Sequence, residues 1–158
     1  MPMIDAFIPE NALAPEAERA LINAVTRLVV KHEIGDETNQ KALDATWVSV
    51  HRPNVLVAGI PATAPRYRFV VSVPEGQFDE ARREAVTSGI TEEIAKAENH
   101  ALDDVKGRIW VICVEVPDGS WGARGRIVRL PDILSGLLGE CGRSVALERL
   151  AARAGWSN

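Results

Sequence analysis

Pro2 has the most distinctive chemistry in this sequence, because it directly follows Met1. A small second residue permits removal of Met1, and the chain then begins with a secondary amine. An α-amino group has a reference pKa of about 8, and burial or nearby cations lower that pKa toward neutral pH. A free amine can take a proton next to a carbonyl group and return it elsewhere. Pro2 is therefore a candidate general base, and the alternative is a proline that only leads into a strand.

Arginines offer binding sites for an acidic substrate, because the planar guanidinium donates two parallel hydrogen bonds to a carboxylate. The candidates are Arg124 and Arg126 in a glycine-rich hairpin, and Arg66 and Arg68 at the start of a predicted strand. The hairpin pair is favoured over the strand pair. Antiparallel pairing of the two opening strands places the strand pair near Pro2 or near its counterpart in the second half. Each arginine taken singly is also explained as a solvated surface charge.

Tryptophans provide apolar surface around such a site. Trp121 lies on the glycine-rich hairpin, where a wall beside the amine or ordinary packing explains it equally well. A dry wall lowers the pKa of a neighbouring amine, because burial disfavours the charged form. Trp47 and Trp110 lie in predicted strands, where core packing is the better explanation.

The elements that position these residues form a repeat. The segment IPEN at the end of the first strand returns as VPEG sixty-five positions later, and each lies between an apolar strand and a helix. At this offset identical residues recur within the helices, at Ala20 and Ala85, Thr26 and Thr91, and Lys31 and Lys96. Matching helical phase in both halves indicates one β-α-β unit written twice.

The predicted elements follow one plan in each half. A strand over 3–8 precedes a helix that begins at Pro15, buries one apolar stripe and ends at Gly35. An Asp79 cap begins the second helix, which extends to about Lys96. Further strands are predicted over 47–50, 55–58, 67–73 and 109–116, and a hairpin over 117–126 leads into 127–128. Leucine-rich segments within 133–138 and 147–154 predict one or two short C-terminal helices.

A helix that crosses between two strands of one sheet makes those strands parallel, so two units predict four strands with both helices on one side. The strands over 67–73 and 109–116 are apolar continuously rather than alternately. Continuous apolarity indicates burial on both faces. The face without helices is therefore expected to contact other copies of the chain.

The composition of the chain limits the classes of protein to which it can belong. The 158 residues are 46% hydrophobic and 25% charged, which is typical of a globular chain with one core. The formal charge of −4 argues against a nucleic-acid partner, which requires a basic face. The sequence has no apolar run long enough for a membrane span and no secretion signal, so a cytoplasmic protein without membrane association is expected. The two cysteines and three histidines lack metal-ligand spacing, so no metal site or disulfide is expected.

These features resemble the tautomerase superfamily, typified by 4-oxalocrotonate tautomerase, macrophage migration inhibitory factor and cis-3-chloroacrylic acid dehalogenase. The resemblance rests on Pro2, the repeat, the IPEN and VPEG strand ends and the hairpin GSWGARG, and it extends from Pro2 to about Asp132. It implies an α+β fold of two tandem β-α-β units with pseudo-two-fold symmetry, a four-stranded mixed sheet and two helices on one face. It also implies a fused domain over 1–132, with units over 2–59 and 66–130, and a C-terminal helical extension over 133–158.

The resemblance further implies a homotrimer without a cofactor that acts on a small carboxylic acid. Pro2 takes the catalytic role. The substrate-binding candidates are Arg126, Arg124, Trp121, Arg66, Arg68 and Gln77.

The sequence departs from the family pattern at several positions. The arginine that usually follows Glu-Gly is Gln77 here, and Ala12 stands at the matching place in the first unit. The helix histidine, strand tyrosine and hairpin glutamate of the dehalogenase are replaced by Val29, Ile112 and Ala123. Dehalogenation by that apparatus is therefore not expected. Two carboxylates near the hairpin, Glu115 and Asp118, are candidates to substitute.

Three functions remain open from the sequence. The leading one is a tautomerase-like isomerase in which Pro2 moves a proton on a 2-oxo or enol acid. The second keeps the pocket but uses a cationic Pro2 as a general acid for hydration, decarboxylation or dehalogenation-like chemistry on an unsaturated acid. The third is a non-catalytic oligomeric binding protein on the same scaffold.

Overall fold

Two β-α-β units meet in a central mixed sheet whose strand order is β2-β1-β5-β6. The computed structural model describes residues 2–154, so the predicted state of Met1 and the last four residues of the predicted extension lie outside the described residues. The first unit comprises β1 (Met3–Phe7), α1 (Pro15–Ile34) and β2 (Trp47–His51). The second comprises β5 (Tyr67–Pro74), α3 (Glu80–Glu98) and β6 (Ile109–Val116).

Strand pairing confirms the predicted topology. Within each unit the two strands are parallel, whereas β1 and β5 are antiparallel at the centre of the sheet. Met3 lies opposite Ser72 and Phe7 lies opposite Arg68. The start of β1 is therefore next to the end of β5, and the two units are related by a pseudo-two-fold axis between these strands.

Local signals in the sequence fix the helix ends. Pro15 occupies the first turn of α1, and Gly35 ends it in the left-handed conformation with φ of 84°. The Asp79 side chain accepts a hydrogen bond from the Arg82 backbone N–H at the start of α3. Helix α3 ends at Glu98, two residues beyond the predicted end, and the next residue, Asn99, has the left-handed conformation.

Both long helices cover the same face of the sheet and bury Ile4, Ala6, Phe69, Val71 and Val73 completely. The other face is open within one chain. Its exposed apolar side chains are Met3, Trp47, Trp110, Ile112 and Val114. The continuous apolarity of β6 therefore reflects one face packed against helices and one face left uncovered in a single chain.

Each unit also carries a small hairpin outside the main sheet. β3 (Leu56–Val57) pairs with β4 (Ile60–Pro61), and β7 (Trp121–Ala123) pairs with β8 (Arg126–Val128). Both turns have two residues with positive φ, Ala58-Gly59 and Arg124-Gly125. This is the backbone of a type I′ hairpin turn. The strand predicted over 55–58 thus pairs only within its hairpin and does not join the central sheet.

Helices α5 (Leu130–Leu138) and α6 (Glu140–Ala154) close one end of the sheet. With the short helix α2 (Gln40–Asp44), they pack around the last turns of α1 in a second core of Val30, Ile34, Ala42, Leu130, Leu134 and Ala146. The short helix α4 (Leu102–Val105) and a 3₁₀ turn (Lys106–Arg108) connect α3 to β6. In the described part of the chain, no helix has the length and apolarity to span a membrane.

Candidate functional site

Pro2 lies at the end of the sheet where β1 and β2 begin and β5 and β6 end. Its side chain is buried, and its carbonyl accepts a hydrogen bond from the Trp47 N–H at 3.3 Å. Alternation along β1 places Pro2 on the same side as Ile4 and Ala6, which face the helices. The register places Pro2 one residue beyond the pair of Met3 and Ser72. The ring of Pro2 is therefore directed toward the helical layer at the end of the sheet.

A buried carboxylate lies at this same end. Helix α1 runs back along β1, so its last turn returns to the level at which β1 begins. Glu33, in that turn, is fully buried, and its Oε1 accepts a hydrogen bond from Gln77 Nε2 at 3.1 Å. Gln77 is also fully buried, three residues beyond β5. The end of α1 and the end of β5 are thus joined by a polar contact within an apolar surrounding.

Arg149 of α6 completes this polar cluster. Its Nη1 donates to the Glu33 backbone oxygen at 2.9 Å and also to Gln77 Oε1. Burial lowers the pKa of the Arg149 guanidinium, and the charge of Glu33 acts in the opposite direction. Gln77 therefore lies between a cation and an anion, with its carbonyl toward Arg149 and its amide NH₂ toward Glu33. We call Glu33, Gln77 and Arg149 the buried polar cluster.

The base of the β7–β8 hairpin is fixed at this end as well. Glu75 Oε2 accepts from the Asp118 N–H at 2.9 Å, and Asp118 Oδ1 accepts from the Leu130 N–H at 2.9 Å. Glu115 Oε1 accepts from the backbone N–H groups of Gly76 and Phe78. Its other oxygen accepts from Arg83 and Arg153. The two carboxylates considered as substitutes, Glu115 and Asp118, are thus engaged in holding turns and helices.

The hairpin carries three of the predicted site residues away from its fixed base. Trp121 is partly exposed, and Arg124 and Arg126 are exposed. Within residues 2–154, these two arginines form no hydrogen bond or ion pair with another residue, whereas Asp118 binds Arg129. Both guanidinium groups are therefore available to a ligand or to another protein surface.

The predicted residues Arg66 and Arg68 lie at the opposite end of the sheet from Pro2. Arg68 is paired with Phe7 and its guanidinium lies 3.9 Å from the centre of that ring. Phe7 lies five residue steps along the extended strand from Pro2, a length of roughly 17 Å. Within one chain, the antiparallel register therefore brings these two arginines to the start of the second unit and not to Pro2.

A cleft of about 440 Å³ occurs at the Arg66 end, lined in part by Asn11, Arg52, Asn54 and Arg66. Arg52 is already paired with Glu18 through two hydrogen bonds of 2.7 Å. Arg66 Nη1 donates to the Gly107 carbonyl at 3.3 Å. Arg52 and Arg66, the two cationic side chains of this cleft, therefore already form hydrogen bonds within the protein.

Tyr67 occupies the position in the second unit that Pro2 occupies in the first. Its hydroxyl donates to Glu98 Oε1 at 2.6 Å, and Arg108 donates to both oxygens of Glu98 at 2.9 and 2.5 Å. The hydrogen bond from Arg108 lowers the pKa of Glu98 against the opposing effect of burial. Burial and the Glu98 contact raise the pKa of Tyr67. A carboxylate at the end of α3 thus contacts the first residue of β5.

Sequence reasoning missed Glu33 and Arg149. The offset of sixty-five that aligns Pro2 with Tyr67 also aligns Glu33 with Glu98, so the repeat contained a signal for the carboxylate. Arg149 lies in the C-terminal segment outside the repeat, and only the packing of α6 on α1 identifies it.

The arrangement at the Pro2 end is suited to moving protons. A proline ring nitrogen, when it is the first atom of the chain, is a base, and a buried carboxylate nearby stabilises its protonated form. Exposed arginines on the adjoining hairpin suit a carboxylate ligand. Among the described residues, no group of three or more His, Cys, Asp and Glu side chains is placed to hold a metal ion.

The sequence matches no protein-family model and no curated protein. Many solved structures have a similar fold, among them the following three. The R7 fused 4-OT asymmetric trimer is 19% identical, with 79% of this chain and 94% of that chain covered and a TM-score of 0.62. Pt0534, inactivated by 2-oxo-3-pentynoate, is 23% identical over 79% of this chain and 94% of that chain, with a TM-score of 0.64.

The third structure is N1, a member of the cis-3-chloroacrylic acid dehalogenase family. N1 is 12% identical to this chain. The match covers 94% of this chain and 99% of the N1 chain, with a TM-score of 0.66. Together these similarities confirm the predicted α+β architecture of two β-α-β units. Because the N1 match extends over nearly the whole chain, it includes much of the α5–α6 region as well.

Proposed function

We propose, from the fused two-unit tautomerase fold of this chain, that it is a cofactor-independent isomerase with Pro2 as its general base. The observation that carries the proposal is the buried position of Pro2 at the polar end of the sheet. Removal of Met1 makes the ring nitrogen a secondary amine. The substrate class is a small 2-oxo or enol acid.

In the proposed reaction the Pro2 nitrogen takes a proton from the enol hydroxyl or from a carbon next to the ketone. The electron pair released moves through the conjugated system. The same nitrogen then gives the proton back at a different atom of the substrate. Substrate and product have the same composition and oxidation state, so the reaction needs no cofactor.

The β7–β8 hairpin is the proposed carboxylate-binding element. Arg126 and Arg124 are exposed without partners in the described chain, and Trp121 is proposed as the apolar wall. Arg66 and Arg68 contribute to a Pro2 site only where a neighbouring copy supplies that Pro2. Gln77 is proposed to hold the buried polar cluster, since both ends of its amide are already bonded.

A homotrimer is part of this proposal. The fused 4-OT structure is a trimer, and the open apolar face of the sheet in this chain provides a surface for other copies. We further propose that residues 133–158 are an extension of the fused domain over 1–132, because α5 and α6 cover the end of the sheet where Pro2 lies.

The test is turnover of phenylenolpyruvate and 2-hydroxymuconate by the wild-type protein and by Pro2→Ala. Mass spectrometry of the purified protein first establishes that Met1 has been removed. We expect the substitution to lower kcat/KM by about 10²-fold or more, the usual contribution of a general base. The compound 2-oxo-3-pentynoate, which inactivates Pt0534, is expected to add one ligand mass per wild-type chain, on the peptide that begins with Pro2. A fully active Pro2→Ala variant would overturn the proposal.

One observation favours a second function. Glu33 is fully buried at the end of the sheet where Pro2 lies, and an anion close to an amine favours the protonated form of that amine. A cationic Pro2 is a general acid and suits hydration or decarboxylation of a small unsaturated acid. The absolute pKa of Pro2 separates the two functions, because a general base at pH 7 requires a pKa near or below 7, whereas a general acid requires a higher one.

A further inference from the structure

The cleft at the Arg66 end lies where β1 ends and β5 begins, opposite Pro2. Its walls come from residues 9–12 after β1, residues 52–55 after β2, and residues 61–66 before β5. Its volume of about 440 Å³ lies within the range of small-molecule sites, roughly 300–1,000 Å³. The cleft is therefore large enough for a small organic ligand.

The protein itself holds the walls of this cleft in place. The Ala62 N–H donates to the Val55 carbonyl at 3.0 Å, which joins two of the three wall segments. Arg52 of the second segment donates to the Ile8 carbonyl at 3.4 Å. A proline ring fixes the backbone angle φ, and the lining includes four prolines, Pro9, Pro53, Pro61 and Pro65. Because the shape is preformed, a ligand binds without the cost of ordering these segments.

One edge of the Arg66 guanidinium has no acceptor. Its Nη1 donates to the Gly107 carbonyl at 3.3 Å. Its Nε is buried without a hydrogen-bond partner among residues 2–154, and Nη2 forms no hydrogen bond with those residues either. A carboxylate that binds side-on accepts two parallel hydrogen bonds from Nε and Nη2. Because a buried donor without an acceptor is unfavourable, a carboxylate on this edge would stabilise the structure.

The charges of the lining favour a ligand with a single negative charge. The charged side chains that line the cleft are Glu10, Arg52 and Arg66. Both oxygens of Glu18 bind Arg52 at 2.7 Å, so that cation is already neutralised. Arg66 forms no ion pair within the described chain, and the exposed Glu10 repels a second negative charge. A monocarboxylate therefore matches the cleft better than a doubly charged anion does.

Uncharged polar side chains complete the lining. Asn11, Asn54 and Thr63 form no side-chain hydrogen bond within residues 2–154. An amide or a hydroxyl group can donate as well as accept. These side chains therefore suit the keto or hydroxyl oxygen of a small acid.

We propose that this cleft is a second ligand site, which binds a small 2-oxo or 2-hydroxy monocarboxylate through the Nε–Nη2 edge of Arg66. Tyr67 stands at the place of Pro2 in this unit, and its hydroxyl donates to Glu98 at 2.6 Å. The site therefore binds its ligand without converting it. This inference does not rest on the proposed role of Pro2, because the cleft lies at the other end of the sheet.

The test is a titration of the wild-type protein with pyruvate, followed by ¹⁵N NMR of the backbone amides and of the arginine Nε–H groups. We expect the Arg66 Nε–H and the amides of the three wall segments to shift together with one Kd. Amides at the Pro2 end, such as those of Met3 and Gln77, report separately on the proposed catalytic site. If the cleft resonances do not move at about 10 mM pyruvate, ten times the weak end of usual substrate affinities, the inference is overturned.

The variant Arg66→Met removes the proposed anchor. We expect it to weaken the binding of pyruvate to the cleft by at least about tenfold, the effect of losing one hydrogen bond to a charged group. The matched control is Arg68→Met, which removes the same charge two residues along β5, where the guanidinium lies over the Phe7 ring. Arg68→Met is expected to leave the Kd of the cleft unchanged, and equal weakening in both variants would refute a site at Arg66.

A variant that does not fold leaves the inference testable. In the wild-type protein the Arg66 Nε–H resonance reports the proposed contact directly, so amide shifts without a shift of this resonance would overturn the role of Arg66. Inorganic phosphate is the comparison ligand and is expected to bind the cleft more weakly than pyruvate. Tighter binding of phosphate would overturn the monocarboxylate class.

Failure of the proposed function gives a different result. Full activity of Pro2→Ala would reject the catalytic role of Pro2 and leave the pyruvate titration of the cleft unaffected. Loss of activity in Pro2→Ala, without shifts at the cleft, would keep the catalytic role and reject the second site.

Discussion

At the residue scale, the register of β1 with β5 assigns each candidate side chain to one end of the sheet. The predicted antiparallel pairing left Arg66 and Arg68 near either Pro2 or Tyr67, and the β1–β5 register places them at the Tyr67 end, opposite Pro2. Gln77, expected to replace a substrate-binding arginine, is buried between Glu33 and Arg149. A register and a buried contact depend on residues far apart in the chain, so local sequence patterns cannot supply them.

The Glu98–Arg108 pair gives a pH-dependent prediction. Arg108 and Glu98 expose only 15% and 6% of their side chains, and removing one partner of a buried pair costs about 3–5 kcal/mol. We expect Glu98→Gln to lower the free energy of unfolding by about this amount at pH 7. Urea denaturation at a series of pH values measures the difference.

The sign of the pH dependence follows from the lowered pKa of Glu98. A carboxylate with a lowered folded-state pKa stabilises the fold above its unfolded-state pKa of about 4.3, and this stabilisation is lost as the pH falls through the folded-state pKa. The difference in free energy of unfolding between wild type and Glu98→Gln is therefore expected to be constant above about pH 6 and to shrink below pH 4. As a control, Glu16→Gln removes an exposed pair with Arg19 and is expected to change stability by under about 0.5 kcal/mol at every pH. A difference for Glu98→Gln that grows on acidification would contradict this account.

At the element scale, periodicity and caps predicted most of the fold. The strand predicted over 109–116 begins and ends at the predicted residues, and Pro15, Gly35 and Asp79 define helix ends as expected. These signals are local, because a cap acts on the adjacent turn. The packing of α5 and α6 against α1 was not predicted, since it depends on contacts between segments about one hundred residues apart.

The α5–α6 junction yields a prediction based on two glycines. A Cβ at Gly142 would lie 2.2 Å from the Leu134 carbonyl oxygen, which is backbone and cannot move without shifting α5. We expect Gly142→Ala to lower the free energy of unfolding by about 1–3 kcal/mol, as in overpacked cores. Thermal or urea denaturation measures this loss.

Gly136 is the matched control, because it lies in α5 and a Cβ there meets nothing within 4 Å. The same substitution, Gly136→Ala, is expected to raise the free energy of unfolding by about 0.5–1 kcal/mol through helix propensity. If the two variants were equally stable, the close approach of α5 and α6 would be refuted.

At the scale of the whole molecule, the open face of the sheet explains why the strands are apolar on both sides. The helices cover one face, and the other presents Trp47 and Trp110 with more than 70% of their surface exposed. An apolar face of this kind is characteristic of a surface that contacts another protein. The sequence predicted that this face meets other copies, but the number of copies depends on a symmetry that no single chain contains.

The proposed trimer is tested at Ile112, which lies on the open face of β6 and is 43% exposed. We expect Ile112→Glu to give monomers in analytical ultracentrifugation at concentrations where the wild type sediments with three times the mass of one chain. Closing the face would bury each new carboxylate without a partner, at a cost of several kcal/mol per copy. The circular dichroism spectrum is expected to be unchanged, because the helix-covered core does not include this side chain.

Leu147→Glu, on α6 and 54% exposed, adds the same charge outside the open face and is expected to leave the wild-type mass unchanged. A trimeric Ile112→Glu variant would show that the copies associate through some other surface.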